Sequence, residues 1–264
     1  MPRVQTGPVI GLIVQFVLLA GLAGTVGLSS AGWLTGIAYG AVTCIALTRG
    51  LRRAGTGDLG PADRVTLSRG ILVGAVAALT VDSFGRQAPV EVMVIFTAVA
   101  LVLDGVDGYV ARRTGTASAL GARFDMEVDA FLLLVLSVYL MPLTGGWVLT
   151  IGAMRYAFVV AIWVLPWMRG TLPPRYWRKV VAAVQGVVLV FAMADVSPRP
   201  LMAVVVAASL ALLVESFGRD VVWLWRERPV RTGHPRVTGH LPPRPPSAPP
   251  VASRQARWAA HLPI

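Results

Sequence analysis

The chain has 264 residues, of which 55% are hydrophobic and only 14% charged, and its mean hydropathy is +0.68. That balance excludes an ordinary soluble domain and marks an all-α polytopic membrane protein. The formal charge of +11 comes from arginines at the ends of apolar segments, with Lys179 the single lysine, a pattern of membrane topology and anionic headgroups and not of nucleic acid binding.

The first apolar run, 8–28, is long and is followed by further runs, so it is expected to stay as a transmembrane helix instead of being cleaved as a signal peptide. A second run follows at 31–50, after the turn residues SSAG. It contains Cys44, the only cysteine, which excludes an intrachain disulfide and a cysteine metal site. The polar stretch LRRAGTGDLGPADR at 51–64 reads as an interfacial linker. Six further runs are predicted at 65–82, 89–110, 120–141, 146–166, 179–195 and 200–217, separated by segments such as DSFGRQAP, PLTGG and DVSPRP. The sum is eight helices, each able to cover a ~30 Å apolar core with ~20 residues. From 218 the chain becomes a Pro- and Arg-rich tail, read as a disordered or polyproline II spacer. His234, His240 and His261 lie in it, too far apart for a metal site.

Basic residues set an orientation. Arg52, Arg53, Arg64, Arg112, Arg113, Arg169, Arg175, Arg178, Lys179 and Arg219 collect on one side, against Arg86 and Arg199 on the other. The rule that cytoplasmic loops are basic then predicts a multi-pass cell-membrane protein with both termini in the cytoplasm.

The chemistry concentrates in DGVDGYVARRTGTASALGARFDMEVD, residues 104–129. Asp104 and Asp107 are three apart at the end of one apolar run; Asp125 and Asp129 are four apart in the next. On helices each pair shares a face, so adjacent helices can aim four carboxylates at one point near the cytoplasmic end. Ionised groups at membrane depth are costly and usually functional. Gly108, Ala111 and Gly121 leave space beside the acids, although small residues also serve helix packing. Glu127 is turned away from its acidic neighbours, and Arg123 is suited to a headgroup phosphate. A four-carboxylate set fits one or two Mg²⁺ or Mn²⁺ ions held together with substrate phosphates, hence metal-assisted phosphotransfer. Acids between spans also serve ion-coupled transport, the alternative reading.

The pattern Asp104-x-x-Asp107-Gly108-x-x-Ala111-Arg112, eight residues, Gly121-x-x-x-Asp125-x-x-x-Asp129 resembles the motif of the CDP-alcohol phosphotransferase family without a departure. The resemblance implies a six-helix catalytic core at 65–217, with residues 1–50 adding two N-terminal transmembrane helices. It implies transfer of a phosphatidyl group from a CDP-linked lipid, typically CDP-diacylglycerol, to an alcohol, with release of CMP, in phospholipid synthesis. By similarity Asp104, Asp107, Asp125 and Asp129 hold a pair of Mg²⁺ or Mn²⁺ ions, and Asp129 is also the general base. Thr66, Asp107, Gly108, Ala111, Arg112 and Gly121 face the CDP part. Upstream, Thr66 and Arg69 match the family's entry to the first core helix, whereas Asp63 stands where asparagine is common.

For the acceptor, Arg155 is the informative residue, because it lies within an apolar run and should face the bundle or a wet cavity. With Arg178 and Lys179 it would suit an alcohol carrying a phosphate, such as glycerol 3-phosphate or inositol phosphate. Small residues on many helices are compatible with a homodimer.

Overall fold

The structure, a computed structural model, describes residues 6–55, 58–115, 118–170 and 176–227. The Pro-rich tail from 228 with its three histidines, and Arg175, lie outside these residues, as does the side chain of Arg169. The described elements are helical: α1 (Thr6–Thr25), α2 (Ser30–Ala54), α3 (Pro61–Asp82), α4 (Val90–Thr114), α5 (Ala119–Thr144), α6 (Leu149–Val164), α7 (Tyr176–Met193) and α8 (Arg199–Arg226). Short 3₁₀ turns at Gly146–Val148 and Pro166–Arg169 flank α6. Among the described residues six helices (α1, α2, α3, α5, α6 together with the 3₁₀ turn that precedes it, and α8) are long and apolar enough to cross a membrane. α4 has 25 residues, enough for ~38 Å, and carries Glu91 in its first turn besides Asp104 and Asp107 of the site. Outward-facing side chains such as Ile10, Val17, Leu34, Val42, Trp163 and Val204 are exposed and apolar, as a bilayer-facing surface requires.

Local chemistry sets most helix ends. Ser29 caps α2 by accepting from Gly32 N at 3.2 Å, and Ser118 caps α5 by accepting from Gly121 N at 2.8 Å. α2 and α4 stop at Gly55 (φ 68°) and Gly115 (φ 65°), a left-handed conformation that other residues adopt only with strain. α3 opens with Pro61 in its first turn, and Asp63 reaches back to accept from Gly60 N at 3.2 Å. The stretch expected to be a linker at 51–64 is therefore mostly helix: Leu51–Ala54 extend α2 and Pro61–Arg64 begin α3. α8 likewise runs nine residues past its expected end, to Arg226.

α3 is the central helix. An unbroken run from Val73 to Thr80 is buried on every face, where α1, α2, α4 and α5 all pack against it. Small residues make this possible: a Cβ on Gly74 would stand 2.5 Å from the ring of Tyr39, and Gly70, Ala75, Ala77 and Ala78 let neighbouring backbones approach. At one end of the bundle Ser29 N donates to Asp82 at 2.7 Å, joining the start of α2 to the end of α3. At the other, Gly50 of α2 abuts Leu120 of α5, and Gly7 of α1 abuts Leu59. This second end carries the aspartates.

Candidate metal and phosphate site

Three helices bring the site together, α3 from below and α4 and α5 from its sides. Arg69, on α3, is 1% exposed although it sits among apolar helices. Its Nη1 donates to Asp104 Oδ1 at 2.7 Å, to Asp107 Oδ2 at 2.8 Å and to Asp125 Oδ1 at 2.8 Å, while Nη2 donates to Asp129. One turn earlier on the same helix, Thr66 Oγ1 donates to Asp107 Oδ2 at 3.0 Å. The two acid pairs, each on one face by spacing, thus converge on one buried guanidinium. Burial of that charge is tolerable only because it is paired and hydrogen-bonded.

The donor set fits a hard divalent cation. Oxygens of Asp104, Asp107 and Asp125 lie within 4.8 Å of one another, and all are carboxylate oxygens, the ligands Mg²⁺ and Mn²⁺ prefer. Two features leave coordination capacity. A single Nη carries two N–H groups, fewer than the three carboxylates gathered on it. With all four acids ionised, one guanidinium leaves three formal negative charges uncompensated.

A cavity of about 310 Å³ opens beside these acids, lined by Asp104, Asp107, Asp125, Asp129, Arg112 and Lys179 among others. Its floor is slim: Gly105 and Gly108 on α4 face Ala182, Ala183 and Gly186 on α7. A Cβ on Gly186 would come within 2.8 Å of Leu101, so glycine there keeps α7 close to α4. The rotation of α7 is fixed from its back. Gln185 Nε2 donates to Ser209 O at 2.5 Å, Ser209 Oγ donates to Gln185 Oε1 at 3.1 Å, and Arg178 pairs with Asp220 at 3.6 Å, all on α8. Arg178 and Gln185, seven apart, thus face α8. Lys179, Ala182, Ala183 and Gly186 are left facing the acids.

The other residues singled out by sequence fall as follows. Arg112 lies over Gly108, where a Cβ would be 3.3 Å from its Nη1. Ala111 is half-buried and not among the cavity's lining. Gly121 is buried against Asp63, and a Cβ there would land on the Asp63 Oδ1 atom. Asp63 is thereby tied both to the start of α3 and to the start of α5. Gly121→Ala is accordingly expected to lower stability by about 1–3 kcal/mol, read as a lower unfolding temperature in detergent; an unchanged temperature would show that Asp63 moves aside freely. Arg155 pairs with Glu127 at 2.5 Å, on the face of α5 opposite the four acids. Of the three cations considered for the acceptor, Lys179 alone lines the aspartate cavity.

Arg69 is the participant to which sequence analysis assigned no role in the site beyond its match at the entry to the first core helix. The available signal was its position three residues after Thr66, on the same helix face, directly before the uncharged apolar run 70–79.

A sequence profile of a family described as CDP-alcohol phosphatidyltransferase matches residues 61–214, from the first residue of α3 to within α8. Comparison with curated proteins and with solved structures finds no match.

Proposed function

The chain belongs to the CDP-alcohol phosphatidyltransferase family, a family of membrane phosphotransferases for substituted phosphate groups, and from that premise we propose that it transfers a phosphatidyl group from CDP-diacylglycerol to a phosphorylated polyol. The observation that carries this reading is the convergence of four aspartates from α4 and α5 on the buried Arg69, beside a cavity that also holds a lysine.

The proposed roles follow from position. Asp104, Asp107 and Asp125, with Asp129, would hold one or two Mg²⁺ or Mn²⁺ ions, which when bound supply charge neutralisation at the diphosphate. Arg69 holds the four carboxylates in register, and Thr66 orients Asp107. Gly108 and Arg112, which line the cavity, form the CDP side, Arg112 as a cation for its phosphates, whereas Ala111 and Gly121, expected there by similarity, lie outside the lining. Asp129 takes the proton of the acceptor hydroxyl. The hydroxyl oxygen bonds to the phosphorus that carries the lipid, the bridging P–O bond breaks, and CMP departs with the electron pair. Lys179 meets the acceptor's phosphate; Arg178 acts through α8 contacts, and Arg155 stands across α5 from the reaction. The cation-rich end of the bundle, which includes this site, is assigned to the cytoplasm, where a water-soluble acceptor would be available.

Lys179→Met is expected to raise KM for a phosphorylated acceptor about 10–100-fold, as loss of one charge-assisted hydrogen bond would, with kcat little changed. The acceptor itself is tested with purified protein, labelled CDP-diacylglycerol and Mg²⁺. Parallel reactions receive glycerol 3-phosphate, inositol 1-phosphate, inositol or serine. A new labelled lipid with one of the phosphorylated acceptors is the expected result. Product formed only with serine or free inositol would overturn the acceptor assignment while leaving the transfer reaction intact.

A further inference from the structure

A second cavity, of about 400 Å³, lies between α2, α5 and α6. It is lined by Val42, Ala46 and Leu47 of α2, by Leu120, Phe124, Val128 and Phe131 of α5, and by Tyr156 of α6, with Tyr39, Thr43, Arg123 and Glu127 as its polar members. On α5 its residues occupy the face opposite Asp125 and Asp129, so its occupant does not reach the aspartates. Its size is that of a ligand site. Five of its twelve lining residues belong to α2, which precedes the residues matched to the family.

The cavity's end nearest the aspartates is basic. Arg123 lines it directly and is exposed. On α2, Arg49 and Arg53 follow Val42 and Ala46 on the same helix side, one and two turns beyond the apolar lining, and both are exposed. Gly50 brings this turn of α2 against Leu120, at the start of α5, so the arginines of the two helices belong to one rim. Among the described residues none of the three forms an ion pair. The one acid of the lining, Glu127, is neutralised by Arg155 at 2.5 Å and leaves the rim's positive charge intact.

An apolar slot within the membrane, ending in unpaired arginines at the headgroup level, has the chemistry of one ligand class. We propose that the α2–α5–α6 cleft binds an anionic phospholipid, with an acyl chain along Val42, Ala46, Phe124 and Phe131 and the phosphate at Arg123, Arg49 and Arg53. Arginine suits this task because its planar fork meets phosphate oxygens in pairs. The second N-terminal helix, α2, then contributes to a second lipid site on the enzyme, separated from the catalytic one by the thickness of α5.

The test uses the full-length protein in detergent and measures retention of phosphatidylglycerol against phosphatidylcholine by native mass spectrometry. Saturating CDP is present, to keep lipid out of the aspartate cavity. Preferential retention of phosphatidylglycerol is expected, reduced about fivefold by Arg123→Gln and about tenfold by Ala46→Trp, which fills the slot. Val42→Trp is made in parallel in case Ala46→Trp does not fold, and undiminished CDP binding identifies the folded variants. Equal retention of the two lipids would overturn the proposal. So would retention unaffected by Arg123→Gln and both tryptophans, or retention abolished by Asp125→Asn alone, which would place the lipid in the catalytic cavity. A chain without transferase activity that still retains phosphatidylglycerol in this manner would separate this inference from the catalytic one.

Discussion

Asp129→Asn is expected to reduce CMP formation by about 10²–10⁴-fold, the usual contribution of a positioned general base. The substitution keeps size and shape but removes the proton acceptor and one formal charge. Asp129 lines the aspartate cavity and touches the Nη2 group of Arg69, whereas Asp104, Asp107 and Asp125 share Nη1. That difference gives the prediction its content. Loss of any of the three that share Nη1 should weaken divalent-metal binding most, and higher Mg²⁺ should recover part of the activity. Loss of Asp129 should leave an activity that added metal does not restore. Metal titrations of Asp107→Asn and Asp129→Asn variants, read as CMP release, separate the two roles. If both recover alike with Mg²⁺, Asp129 is a ligand only.

Arg69→Met is expected to cost about 3–5 kcal/mol of stability, as removal of one partner from a buried ion cluster typically does. Arg69 is 1% exposed and is the shared hydrogen-bond donor to all four aspartates. Without it, four carboxylates from two helices repel one another around an uncharged thioether that donates no hydrogen bond. Binding of a cation to the folded protein alone stabilises it by mass action, so Mg²⁺ should raise the unfolding temperature of this variant more than that of the parent. Arg69→Lys should not substitute, because a point charge on a flexible stem cannot span four acceptors. Thermal unfolding with and without Mg²⁺ reads both effects. An unaltered unfolding temperature for Arg69→Met would mean that the acids are held apart by the helices themselves.

How much of this was legible in the residues depends on which interaction fixes each feature. The helices and their order were, because each apolar run ends in residues with specific turn chemistry, such as Ser29, Gly145 and Pro198. Two ends were not. The charged LRRA at 51–54 reads as a loop by polarity, yet arginine stems can lie along a helix and carry their charge to the headgroups, so α2 ends where Gly55 turns the backbone. α8 continues through VVWLWR for the same reason, with Leu224 buried and Arg226 at the end.

Within the site, spacing placed each acid pair on its own helix face, and the structure puts the pairs opposite one another. Their common partner is a tertiary fact: nothing in the order of residues says that Arg69 reaches both α4 and α5. Arg155 shows the same limit. α6 is apolar nearly all round, so its sequence carries no amphipathic stripe to fix its rotation. Packing turns Arg155 toward Glu127 instead of the aspartate cavity. α7 is different, since the Gln185–Ser209 and Arg178–Asp220 contacts orient it, and these require α8 in place.

The central claim is that the aspartate cluster performs metal-dependent phosphatidyl transfer from a CDP-linked lipid. The most direct test is release of CMP from CDP-diacylglycerol by the purified protein after chelation, and again after addition of Mg²⁺ or Mn²⁺, with the acceptor pools combined. The account predicts no CMP under chelation, release on restoring either metal, and none from Asp129→Asn beyond a trace. CMP release that persists under chelation, or that Asp129→Asn leaves unchanged, would contradict it.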